Sequence, residues 1–315
     1  MLRILHIHPK DDMQLAQYVS LLKETMAQDA ESIVTDESKS VRQLCNDFRP
    51  DIIHIHGKVD TQWPDDVRLV VTPHGHQAPY HAYVFIARSP MEKDHLSNIH
   101  KRVTIIRNPI ITRTTTAQDL RAKTMAVYRQ VMDSHVLPLM DADTLQAMRL
   151  LLKIGITGDK RWIGDTPIPQ ADWRKISIYT YYEGISDFVK RGIELAGIPN
   201  QMVDASAIPV FLPDDYQRPT PMPTETLTTL ISQAENEPAN MLRLAEIHQA
   251  LMRPSLDEET LIKRLESSKQ LPFFGSIICL LKEQTLLDEG FMPCPPIDNR
   301  RTQQLRTTLK NHLRI

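Results

Sequence analysis

Between Asp51 and Ile111 the chain passes through four apolar runs, DIIHIHG, VVTPHG, AYVFIARSPMEKDHL and VTIIRNPI, each closing on polar residues or turn formers. Short runs that are apolar on both faces suit a parallel sheet covered on both sides, because a half-solvated strand would alternate polar and apolar residues. This rhythm limits the first part of the chain to an α/β layer. It also marks where function would sit, since the carboxyl ends of strands in open α/β sheets border a ligand crevice.

The residues before this segment extend the pattern. Leu2 to His8 reads as a first strand, followed by Met13 to Met26 with Leu15, Val19, Leu22 and Met26 at helical spacing. Glu31 to Thr35 is a second strand and Val41 to Phe48 a helix that Pro50 ends. Asp51–His56, Val67–Thr72, Tyr83–Ala87 and Val103–Ile106 supply four more strands. The expected fold is a Rossmann-like α/β domain over residues 1–115 and a mainly helical domain over 116–315. In the second part, helical patterns run through Ala117–Met132, to Leu152, to Gly197 and from Leu227 to Leu313. A proline-rich linker near 213–223 interrupts them.

Composition narrows the function classes. A net charge of −2 over 315 residues argues against a chain that coats nucleic acid or anionic membrane along its length. Three scattered cysteines, Cys45, Cys279 and Cys294, offer neither a disulfide framework nor a thiolate zinc site, and a reducing cytoplasm suits them. The longest apolar run, Phe273 to Leu281, falls short of the roughly 20 residues that span a bilayer. No export signal, membrane span or cofactor is expected.

The ordered motifs resemble the amino-terminal, acceptor-side half of GT-B fold retaining glycosyltransferases, the glycosyltransferase family 4-like group, over about residues 1–112. Asp51, His54, His56 and Gly57 match a strand ending D-hydrophobic-HxHG. Thr72, His74 and Gly75 match a strand ending T-x-HG, Ser89 and Glu92 a strand leading into a helix, and Asn108 with Pro109 a strand at the domain junction. The resemblance implies a glycosyltransferase-like protein, with hexosyl transfer from a nucleotide sugar as the activity if it is active. It also implies His8, His56, His74, Ser89, Glu92 and Asn108 as the substrate-binding set.

Three departures separate the chain from an ordinary member of that group. The first strand opens into Pro9-Lys10-Asp11-Asp12 where a glycine-rich loop is usual, so close approach of backbone amides to a ligand is lost. Only His76 to Ala82 separates the HG turn from the next strand, less than a parallel crossover ordinarily needs, so the sheet is expected to be trimmed or to carry an unconventional connection. After Thr112 there is no second set of alternating strands and glycine loops to grip a donor diphosphate. These departures point to a degenerate enzyme or one whose donor site comes from a protein partner. A non-catalytic interaction module built on the helical half is the alternative.

Seven of the twelve histidines precede Tyr83, six of them in HxH pairs: His6 with His8, His54 with His56, and His74 with His76. Strand residues two apart share a face, so the pairs allow a metal site, a set of half-buried hydrogen-bonded imidazoles, or sugar contacts by His56 or His74. The expectation is no metal. Ser89 and Glu92 also fit a capping box with Pro90 in the first turn. Trp162, Trp173, Tyr179, Tyr181 and Tyr182 suit either sugar stacking or core, with core favoured. At the carboxyl end Arg300, Arg301, Arg306, Lys310 and Arg314 follow an acidic stretch, while Leu305, Leu309 and Leu313 recur every four residues. That pattern suits a docked amphipathic helix better than a nucleic-acid contact.

Overall fold

The computed structural model describes the chain apart from residues 65–66, 76–80, 108–114, 164–169, 214–215, 223–225 and 314–315. Two compact units divide it, Met1–Met132 and Asp133–Ile315.

The first unit holds a six-stranded parallel sheet: β1 (Leu2–His8), β2 (Ala30–Asp36), β3 (Ile52–His56), β4 (Arg68–Thr72), β5 (Val84–Ala87) and β6 (Val103–Ile105), in the order β2-β1-β3-β4-β5-β6. Helices α1 (Met13–Met26), α2 (Val41–Phe48) and α3 (Pro90–Ser97) join strands, and α4 (Ala117–Asp133) follows the sheet. Each starts where the sequence supplies a stop for orphan amides. Asp12 accepts the N–H of Leu15, Ser40 that of Gln43, Ser89 that of Glu92, and Thr116 that of Asp119.

The two sheet faces differ. Leu5, Ile7, Ile53, Ile55, Leu69 and Val71 form an apolar layer under Val41, Cys45 and Phe48 of α2 and Leu96 of α3. On the opposite face, His6 pairs in register with His54, and His56 with Thr72, beneath Tyr18 of α1 and Tyr128 of α4. The α4 helix buries Leu120, Met125, Tyr128 and Val131, and Arg121 holds Asp29 at 2.7 Å. These contacts belong to the first unit, so its limit lies beyond the expected residue 115. β3 and β4, and β4 and β5, pair in parallel, and no helix occurs among the described residues of 57–67 or of 73–83 that connect them.

The second unit is helical, and no strand occurs among its described residues. It consists of α5 (Ala142–Thr157), α6 (Trp173–Tyr182), α7 (Ser186–Ala196), α8 (Leu227–Asn236), α9 (Met241–Leu251), α10 (Glu258–Ser267), α11 (Leu271–Gln284) and α12 (Arg300–Asn311). Glycine sets the closest approach. A Cβ on Gly155 of α5 would sit 1.8 Å from the carbonyl oxygen of Phe188, and one on Gly192 of α7 would sit 2.0 Å from that of Leu151. Trp173 and Tyr179 are core residues, whereas Trp162 is exposed with the Lys153 ammonium 3.4 Å from its ring centre. The α12 helix docks as its leucines predict: Leu305, Leu309 and Leu313 are buried, and Arg306 pairs with Glu283 and Asp298. Among the described residues, no helix is long and apolar enough to cross a membrane.

Candidate functional site

In this strand order the chain reverses direction between β1 and β3, which places the ligand crevice of such a sheet at their carboxyl ends. His8 and Pro9 end one strand, His56 and Gly57 the other. The space between them is taken. A Cβ on Gly57, whose φ is +77°, would meet the Leu15 side chain at 3.0 Å and the Pro9 ring at 3.3 Å. In the first turn of α1 the Leu15 amide donates to Asp12 at 2.9 Å, so a carboxylate of the chain caps the helix start that favours phosphate. His8 turns its Nδ1 to the Pro9 carbonyl at 2.8 Å.

Behind this edge lies a buried imidazole cluster. His6, His54 and His56 are at most 1% exposed, fully rather than half buried. His54 bridges two hydroxyls, with Nδ1 2.6 Å from Tyr128 Oη and Nε2 2.8 Å from Thr72 Oγ1. His6 Nδ1 and His56 Nε2 share a hydrogen bond of 3.1 Å. Burial pushes the His6 pKa down to about 3, helped by the charge of Lys23. His54 and His56 are also held well below 6.5, first by burial and then by their neighbouring imidazoles. All three rings are therefore neutral at pH 7. Burial likewise raises the phenol pKa values of Tyr18 and Tyr128.

A metal fits this cluster poorly. One nitrogen from each ring can be chosen so that all three lie within 4.8 Å of one another. Zinc with bonds of about 2.0–2.1 Å in tetrahedral geometry holds ligand atoms roughly 3.4 Å apart. Both nitrogens of His54 already serve Tyr128 and Thr72, so metal binding would break one of those bonds and draw the rings together.

Of the residues expected to bind substrate, His56 and His74 come together, their ring centres 5.8 Å apart, with Tyr18 5.1 Å from His74. His74 adopts a left-handed backbone, φ 55°, at the turn after β4. Glu92 ties that turn to the start of α3: Oε1 accepts the N–H of Gly75 at 2.8 Å and Oε2 that of Arg88 at 2.6 Å. The bond to Arg88, rather than to Ser89 itself, shifts the expected capping box one residue upstream. Ser89 is the N-cap, and its oxygen accepts the N–H of Glu92 at 3.1 Å. Asn108 lies outside the described residues, as do His76 and Arg314.

Tyr18 and Tyr128 escaped the sequence reading, although each is a phenol on the buried stripe of an amphipathic helix. Such a residue requires a polar partner inside. His6 appeared there only as half of an HxH pair.

Comparison with models of known protein families, with curated proteins and with solved structures finds no match.

Proposed function

We propose that this chain is a glycosyltransferase-like protein of GT-B acceptor-side descent whose Rossmann-like unit does not transfer sugar unaided. The observation that carries this reading is the filled crevice: Pro9 and Leu15 close on Gly57, and Asp12 takes the α1 amide. Leaving-group stabilisation at a diphosphate needs preorganised cations and amides facing the reacting atoms. Near this edge Arg88 faces Glu92 at 3.8 Å, and the imidazoles behind it are neutral. The ordered HxHG, T-x-HG and Ser-to-helix motifs supply the lineage, and activity would require a protein partner bearing the donor grip.

The test is incubation of the purified chain with a panel of uridine, guanosine, thymidine and adenosine diphosphate sugars and simple glycoside acceptors. No sugar release or transfer is expected. Turnover by the single chain would overturn the proposal. Nucleic-acid binding by the terminal helix is the weaker alternative, because Leu305, Leu309 and Leu313 are buried and Arg306 is engaged by two carboxylates.

A further inference from the structure

The second unit contains a cavity of about 690 Å³, bordered by residues 216–220, the start of α9 and the end of α12. That volume is in the range of small-molecule sites, roughly 300–1,000 Å³. Nothing in the sugar-handling reading uses it.

A buried carboxylate sets up one wall. Glu183, the C-cap of α6, is 0% exposed. Its Oε2 accepts the N–H of Met241, the first residue of α9, at 2.9 Å, and its Oε1 meets His312 Nδ1 at 2.7 Å. With Nδ1 fixed in this way, His312 lines the cavity, and its Nε2 has no hydrogen-bond partner among the described residues. Burial opposes a charge on His312, but the hydrogen bond and charge of Glu183 outweigh it and raise the imidazole pKa above 6.5. Tyr216 packs beside it, ring centres 5.3 Å apart.

Two arginines line the same cavity from other elements. Arg243, on the first turn of α9, is 5% exposed and pairs through its terminal nitrogens with Glu246 and Glu237. Its Nε is buried without a partner among the described residues. Leaving such a donor unmet costs on the order of 1–3 kcal/mol. Arg218 lies with its guanidinium carbon 4.1 Å from the centre of the Tyr181 ring, and no described carboxylate pairs with it. A guanidinium stacked in this way keeps its hydrogen-bonding edge available for a planar fork.

The acids next to these donors are engaged by the chain itself. Both oxygens of Glu183 are taken, and Glu246 accepts from Arg243 and from the Met222 amide. Glu237 is the only described acid in the cavity lining, and its side chain is 46% exposed. The open edge of Arg218 and the Nε2–H of protonated His312, from separate parts of the unit, offer several N–H donors, which match an acceptor with several oxygens better than the two of a carboxylate.

We propose that this cavity binds a small molecule bearing a phosphate group, held by Arg218 and His312 beside the paired Arg243.

Titration calorimetry on the full chain tests the proposal with pyrophosphate and glucose 6-phosphate as probes, and with glucose and malonate as controls. The expected result is saturable 1:1 binding of the phosphorylated probes and none of glucose. Arg218→Gln is the informative variant, because Arg218 is exposed and its replacement leaves the core intact; it should weaken binding about tenfold or more. His312→Gln should weaken it similarly if that variant remains folded. Absence of saturable binding to the folded chain, binding indifferent to Arg218→Gln, or equal affinity for malonate would each overturn the proposal.

Discussion

His6 and His56, on adjacent strands of the parallel sheet, share one hydrogen bond of 3.1 Å and leave His6 Nε2 and His56 Nδ1 buried without a partner among the described residues. Whichever ring donates, one lone pair and one N–H remain unmet. A protonated ring would be worse, and this sets a pH dependence. In the unfolded chain these imidazoles bind protons near pH 6.5, whereas His6 in the folded chain does so only near 3. The stability they contribute is complete above 6.5 and is lost as pH falls, by up to about 1.4 kcal/mol per pH unit for each ring kept neutral. Urea midpoints between pH 6.5 and 5, above most carboxylate titrations, should fall steadily, and His6→Leu should reduce the slope by about one proton. An unchanged slope in that variant would contradict the buried neutral state.

The crossing of α5 and α7 makes a second prediction. Alanine normally favours a helix over glycine by about 1 kcal/mol. At Gly155 and Gly192 the new methyl would fall about 2 Å from a carbonyl oxygen, so backbone must move. Gly155→Ala and Gly192→Ala should each destabilise the protein by about 1–3 kcal/mol, read as a lowered urea midpoint. A neutral or stabilising result at either position would mean the helices do not meet there.

Glu92 and Ser89 provide a third. Glu92→Ala removes the acceptor shared by the amides of Gly75 and Arg88, and should cost about 1–2 kcal/mol because both amides can turn to water. Ser89→Ala should cost about 1 kcal/mol by uncapping α3. Full stability of both variants, with weakened binding to a saccharide, would instead make them ligand contacts.

The terminal helix gives a fourth. Leu309→Ala should cost about 2–5 kcal/mol because the side chain is 5% exposed in the core. Arg300→Ala, on an exposed position, should stay within about 0.5 kcal/mol. The chain should elute early from a duplex DNA column at physiological salt, as expected for a helix that spends its apolar face on its own unit. Tight, salt-sensitive retention would reverse that assignment.

The sequence alone determined the strands around His6, His54 and Thr72, the helices Met13–Met26 and Val41–Phe48, the helix capped by Ser89, and the docked face of Leu305, Leu309 and Leu313. These follow from local rules, a period of two or of 3.6 residues and a side chain that meets a nearby amide, and a linear string records them directly. Tertiary structure decided the rest. Only the strand order brings His6 beside His56, 50 residues apart in the chain, and only the packing of α4 gives His54 the hydroxyl of Tyr128. Glu183 and His312, 129 residues apart, carry no sequence pattern that links them. Burial turns such meetings into shifted pKa values and unmet nitrogens, and burial belongs to the folded arrangement rather than to any one stretch of residues.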